Sequence, residues 1–215
     1  MPLSRRVRTI AQGLVFALVL VLGAEAARTA FGSNFHTVVP GRCYRSAQLS
    51  ATHLRLLAGR YGIRSIINLR GVEDDRVWFQ RECAVAQAMD IEMINRGMWA
   101  QRPPTEEELR DIVRDVDRAD EPILIHCVSG IDRTGIIAAM FLLLRTDATI
   151  DEAWRQLSVR YGHNRWGKAA CQDRVLAAYV AWLAERGLAH RPEHFRRWAV
   201  EDYRQEWGTD WSEPK

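Results

Sequence analysis

Residues Ile123 to Gly135 constrain this chain more than any other stretch. The apolar run Ile123-Leu124-Ile125 follows Pro122 and ends in His126-Cys127. A short polar and glycine-bearing loop, Val128-Ser129-Gly130-Ile131-Asp132, leads to Arg133-Thr134-Gly135 and then to the apolar run from Ile136 to Leu144. A buried strand, a tight loop and a buried helix must follow one another with almost no spacer. Such a connection turns backbone N–H groups inward and forms a concave anion site on a helix N-terminus.

A thiol at the base of that site meets the N–H groups, the positive end of the helix dipole and a guanidinium. All three favour the thiolate. A bound tetrahedral anion then sits directly over an activated nucleophile, which is the arrangement for taking a phosphoryl group onto sulfur. Planar Arg133 suits two equatorial phosphate oxygens in a way a lysine would not. Gly130 allows the tight loop, and Gly135 lets the helix start close to it.

The string His126-Cys127-x-x-Gly130-x-x-Arg133-Thr134-Gly135 resembles the signature loop of the cysteine-based protein tyrosine and dual-specificity phosphatases. The resemblance extends upstream to Tyr44-Arg45-Ser46, Leu54, Leu57, Gly62-Ile63 and Ile66-Ile67-Asn68-Leu69-Arg70. These look like the opening elements of bacterial and fungal atypical members. Downstream, Gln156-Leu157-Ser158 and Tyr161-Gly162-His163 resemble a stretch of bacterial phosphatases of this kind. The matching residues run from about Val38 to Trp198.

The resemblance implies Cys127 as nucleophile and Arg133 as phosphate clamp. Val128, Ser129, Gly130, Ile131, Asp132 and Arg133 would line the phosphate site, with His126 and Thr134 supporting the thiolate. It implies a phosphomonoester hydrolase acting through a phosphocysteine, with no metal and no cofactor. A phosphorylated protein (phosphotyrosine or dual specificity) is the first substrate class. A phospholipid headgroup is the second, and a phosphate-binding pseudophosphatase is the non-enzymatic alternative. Arg45 and Arg70 are further candidates for contact with the substrate or support of the site.

The proton donor to the leaving oxygen is where this chain departs from the pattern. Many tyrosine phosphatases take it from an aspartate on a mobile loop between the third strand and the loop strand. Here that region, Arg96-Gly97-Met98-Trp99-Ala100-Gln101-Arg102-Pro103-Pro104, holds no carboxylate. Asp132, inside the loop, is the preferred acid. Glu106 and Glu107 are the next candidates, although the first turn of a helix already accounts for acidic residues there. His163 is a third.

Periodicity gives an α/β order. Val38 to Tyr44 reads as an edge strand broken by Pro40, and Ser50 to Arg60 as a helix. Ile63 to Leu69, Ile91 to Asn95 and Pro122 to His126 read as buried strands. Val77 to Met89 is helical, and Thr105-x-x-Glu108 is a capping box opening an amphipathic helix. Four helices follow: Arg133–Arg145, apolar all round and hence central, then Ile150–Arg160, Lys168–Glu185 and Pro192–Glu206. The expected fold is a central sheet flanked by helices, phosphotyrosine-phosphatase-like, with a helical C-terminal third that holds Trp154, Trp166, Trp182, Trp198, Trp207 and Trp211.

With 47% apolar and 27% charged residues, 29–215 can bury the core of a single catalytic domain. A net charge of +3 gives no reason to expect a nucleic-acid partner. Residues 1–28 differ from the rest. Arg5, Arg6 and Arg8 precede sixteen uncharged residues, Thr9 to Ala24. The run fits a membrane anchor, though short of the ~20 residues a spanning helix needs. It also fits a signal peptide cleaved after Ala24-Glu25-Ala26. Either reading sends the bulk of the chain out of the cytosol. Cys43, Cys83 and Cys171 read as small buried hydrophobes, with Cys43 the best placed to act as a resolving thiol for Cys127.

Overall fold

A computed structural model describes residues 33–164 and 171–205, with 7, 10–16 and 20 near the N-terminus. Five strands form one sheet: β1 (His36–Val39), β2 (Cys43–Ser46), β3 (Ser65–Asn68), β4 (Glu92–Asn95) and β5 (Ile123–His126), in the order β1-β2-β5-β3-β4. Only the β1–β2 pair is antiparallel; the other three pairings are parallel. The connecting helices are α1 (Ala51–Tyr61), α2 (Val77–Ala88), α3 (Glu106–Arg118) and α4 (Asp132–Arg145). The C-terminal part adds α5 (Ile150–Trp154), a 3-10 turn (Val159–Tyr161), α6 (Asp173–Arg186), α7 (Pro192–Arg197) and a π turn (Trp198–Asp202).

Helix boundaries follow local chemistry. Ser50 caps α1 by accepting from the His53 N–H, and Gly62 ends it at φ 63°, a conformation that suits glycine. Thr105 and Glu108 form the expected capping box on α3.

The sheet is covered on both faces, as parallel strands require. Register places Tyr44, Leu124 and Ile66 side by side facing α1 and α2, while the adjacent Ile125 and Ile67 face the opposite side. On that second face lies α4, buried from Thr134 to Leu144. It packs against β2, β5, α3, α5, α6 and α7, so the central position expected from its apolar composition is the one observed.

Several expectations change. Val38 to Tyr44 is not one edge strand. Pro40 and Gly41 (φ 71°) turn the chain back, and the second arm, β2, enters the sheet interior beside β5. The helix expected over Ile150 to Arg160 stops at Trp154, where a turn places Gln156 under the loop instead. The helix expected from Lys168 is described from Asp173, and the last helix passes into the π turn at Trp198. Trp182 and Trp198 are buried and Trp154 is partly buried; Trp166, Trp207 and Trp211 lie outside the described residues.

Near the N-terminus, residues 10–16 are helical, and Ile10, Leu14 and Phe16 are each about two-thirds exposed. Among the described residues no helix is long and apolar enough to cross a membrane. Most of the segment read as anchor or signal, including Ala24-Glu25-Ala26, lies outside the described residues.

Candidate active site

The loop from Cys127 to Arg133 is shaped from outside. Four consecutive carbonyls are each held by a donor beyond the loop. Val128 O accepts from the Gln48 N–H at 3.1 Å. Ser129 O and Gly130 O both accept from Asn34 Nδ2, at 3.1 Å each. Gly130 O and Ile131 O accept from Arg45 Nη2 at 2.9 and 3.1 Å. In a trans peptide the next N–H points opposite the carbonyl. Holding these four carbonyls outward therefore turns the N–H groups of residues 129–132 toward the concave side. One of them is seen in use: Gly130 N–H donates to Cys127 Sγ at 3.3 Å.

Arg45 is fully buried for this task. It also donates to Gln156 O at 2.7 Å and Gln156 Oε1 at 3.0 Å, and its guanidinium lies 3.9 Å from the Tyr161 ring centre. Burial lowers its pKa to about 10, so it stays cationic at neutral pH. Asn34 has its carboxamide oxygen on His36 Nε2 at 2.9 Å, which leaves its amide group to donate to the loop. Gly130 adopts φ 70°, and a Cβ there would come within 2.5 Å of Ser46 and Ala47 backbone atoms. The loop packs so closely on the end of β2 that only glycine fits.

Cys127 is buried at the base of the cradle. Burial alone would raise its pKa, but the Thr134 side chain, the Arg133 charge and the N–H groups of Gly130 and Thr134 together bring it below the ordinary thiol value. Arg133 donates through Nη1 to Leu69 O and Met98 O, both at 3.0 Å. Those two bonds seat one nitrogen and leave the rest of the planar fork for an anion. His126 does not reach the sulfur. Its Nε2 lies 3.1 Å from Glu82 Oε1, deep in the fold, and its Nδ1 is 3.5 Å from Cys127 O.

The candidate acids separate by surroundings. Asp132 is the first residue of α4, one-fifth exposed, with Oδ1 2.7 Å from His163 Nδ1. No ion pair or hydrogen bond joins its side chain to Arg133 among the described residues; the guanidinium is seated on carbonyls instead. His163 is buried. Glu106 accepts from the Gln205 N–H, a bond that lowers its pKa and ties it to the C-terminal segment. Glu107 stands beside it in the first turn of α3.

The carboxylate-free segment between β4 and α3 is fastened along its length. Met98 O takes Arg133, and Gln172 Nε2 donates to Trp99 O at 3.0 Å and Arg102 O at 2.8 Å. Arg102 pairs with Glu108, and Tyr203 Oη donates to Pro104 O at 2.7 Å.

Arg70 lies over Trp78, its guanidinium carbon 3.4 Å from the ring centre, and donates to Gln48 Oε1 at 3.2 Å. Cys43 pairs with Ile123, while Ser46 pairs with His126 next to the nucleophile. Three residues of strand therefore separate it from the loop end, roughly 10 Å at ~3.3 Å per residue. It is fully buried, with its pKa pushed up by that burial, and so cannot serve Cys127 as a resolving thiol. Cys43, Cys83, Cys127 and Cys171 are all free thiols.

Asn34, Gln48, Glu82, Gln156, Gln172 and Asp173 were not among the residues that sequence reasoning singled out for the site. Gln156 lies in a family-like stretch that did not reveal its role, and no local motif marks the others, because each acts on a partner far away in the chain. Among the described residues no cluster of three histidine, cysteine or acidic side chains is placed to hold a metal.

A buried cysteine of depressed pKa under inward-turned N–H groups, with a seated arginine at the start of a buried helix, forms a phosphate-type anion cradle above a sulfur. A profile of the tyrosine phosphatase family matches residues 27–152, and the chain belongs to that family. Similar solved structures include TpbA from P. aeruginosa, a cysteine-to-serine variant in complex with pTyr. It is 22% identical, covers 80% of this chain and 92% of its own, and has a TM-score of 0.53. The core catalytic domain of the PP-IP phosphatase SIW14 from S. cerevisiae, in complex with citrate, is 21% identical over 72% of this chain and 92% of its own, with a TM-score of 0.54. Tk-PTP in its active form is 20% identical over 67% and 95%, with a TM-score of 0.53. These likenesses establish a shared fold. A search of curated protein sequences returns no match.

Proposed function

We propose that this phosphatase hydrolyses phosphomonoesters in two steps through a phosphocysteine on Cys127, with phosphotyrosine-bearing protein as the substrate class. The observation that carries this reading is the depressed thiol beneath four N–H groups turned inward by Gln48, Asn34 and Arg45. In the first step Cys127 Sγ bonds to phosphorus as the bond to the leaving oxygen breaks, and Asp132 gives that oxygen a proton. Arg133 and the loop N–H groups stabilise charge on the equatorial oxygens. In the second step water bonds to phosphorus and passes a proton to Asp132. The sulfur leaves as thiolate, stabilised by Thr134.

The substrate reading is supported by the pTyr-bound relative and by the loop itself. Val128, Ser129 and Ile131 add no cationic side chain for a polyphosphorylated headgroup. A lipid phosphate is the second reading, favoured by the exposed apolar side chains of residues 10–16, which would bring the domain to a bilayer as an anchor or guide its export. The test uses the full chain with phosphotyrosine and phosphothreonine peptides, aryl phosphate and lipid phosphates in vesicles. Rapid acid quench with labelled substrate should trap label on Cys127, and Cys127→Ser should bind phosphotyrosine without turnover. Turnover by Cys127→Ser overturns the covalent mechanism. Vesicle lipid as the preferred substrate overturns the protein assignment, and tight phosphate binding without turnover of any substrate makes the chain a pseudophosphatase.

A further inference from the structure

His163 sits at a junction that the loop alone does not account for. Its ring is enclosed between two carboxylates, with Nδ1 2.7 Å from Asp132 Oδ1 and Nε2 2.9 Å from Asp173 Oδ1. Carboxylates only accept, so Nδ1 carries its proton toward Asp132, and the second carboxylate 2.9 Å from Nε2 favours the cationic ring as an ion-pair partner. The two carboxylates raise its pKa to about 9, Asp132 contributing most and Asp173 next, against the opposing effect of burial. The backbone that carries the ring is equally fixed. His163 N–H donates to Ser158 O, and Tyr161 O, two residues earlier, accepts from the same Asn34 that holds the loop. Asp132 opens α4 and Asp173 opens α6, so the imidazolium joins two helix starts at the edge of the phosphate cradle.

We propose that His163, braced by Asp173, is the positioning residue of the leaving-group acid. It engages Asp132 Oδ1 and thereby presents the second carboxyl oxygen to the leaving group. It also supplies a fixed positive charge for the carboxylate that forms when Asp132 gives up its proton. A pair built into the helix starts thus replaces the aspartate missing from the segment between β4 and α3. The proposal rests on Asp132 as the acid, as given under Proposed function.

The experiment compares kcat/KM of the full chain on aryl phosphates graded from dinitrophenyl to phenyl, for wild type, Asp132→Asn, His163→Ala, Asp173→Asn and the doubles with Asp132→Asn. Both His163→Ala and Asp173→Asn should lose roughly tenfold to a hundredfold on phenyl phosphate and less than about threefold on the dinitrophenyl ester. Neither should cost anything further once Asp132 is already Asn. Vanadate affinity should hold in both. A loss equal across all leaving groups, or one that adds fully to that of Asp132→Asn, makes His163 a strut and overturns the proposal while Asp132 stands. If Asp132→Asn itself shows no leaving-group dependence, the acid assignment fails and the positioning role fails with it. Should His163→Ala not fold, Asp173→Asn, whose side chain is partly exposed, decides the question by the same readout.

Discussion

Replacing Arg45 with methionine separates the shape of the loop from its chemistry. The methionine fills much of the same buried space but donates nothing. Four hydrogen bonds disappear, to Gln156 O, Gln156 Oε1, Gly130 O and Ile131 O. Their acceptors are not left equally poor. Gly130 O keeps Asn34, and Ile131 O keeps the Gly135 N–H at 2.8 Å. The Gln156 carbonyl loses its charged donor outright, which costs about 1–3 kcal/mol for a buried acceptor. The two weakened acceptors and the lost stacking on Tyr161 add about 1–3 kcal/mol together. Release of a buried guanidinium offsets part of this, the same burial that lowers its pKa to about 10. The net expectation is about 3 kcal/mol, or a fall in the urea midpoint of roughly 1.5 M for a slope of ~2 kcal/mol/M. Under conditions where the variant remains folded, kcat/KM on an aryl phosphate should fall by about a hundredfold, because peptide groups turned by even an ångström no longer meet the phosphate. Arg45→Lys should fall between, since an ammonium cannot span both sets of carbonyls. A variant with the expected midpoint shift but vanadate affinity and kcat/KM within about threefold of wild type would refute the argument that outward-held carbonyls form the cradle.

Two further outcomes follow from the same geometry. Alkylation of Cys127 by iodoacetamide, followed by mass spectrometry, should have its pH midpoint below the ordinary thiol value of about 8.5, because the folded state lowers this pKa and the thiolate persists until pH falls through it. Thr134→Ala should move that midpoint upward; a wild-type midpoint at or above the ordinary value contradicts the electrostatics. Gly130→Ala should lose about 3 kcal/mol or more in denaturant, combining positive φ with a Cβ 2.5 Å from the end of β2, and should abolish turnover. An unchanged midpoint would show that the loop can move away from β2 at little cost.

Much of this arrangement could be read along the chain because its signals are local. The strand, loop and helix around Cys127 announce themselves by apolar runs on either side of a cysteine and an arginine. Ser50 and Thr105 mark helix starts by side chains that reach only three residues ahead. What stayed hidden depends on distance in sequence. Arg45 stands in Cys43–Ser46, and a cation there argues for an edge strand, yet β2 is internal because Gly130, Ile131 and Gln156 supply acceptors 85 to 111 residues away. The early end of α5 has a similar source: Gln156 is committed to Arg45, which periodicity cannot show. His163 could be singled out as a titratable residue near a family-like stretch, but Asp173, its second partner, carried no mark of its own.

The fastened segment between β4 and α3 has a consequence for timing. To carry any group over the phosphate it would have to leave Arg133, Gln172 and Tyr203 at once. A cycle that waits for a flap inherits the flap's clock, slowing with solvent viscosity and stalling in the cold. If those ties persist through the cycle, the aperture would hold one width, kcat would vary little with solvent viscosity, and oversized substrates would meet a fixed clearance.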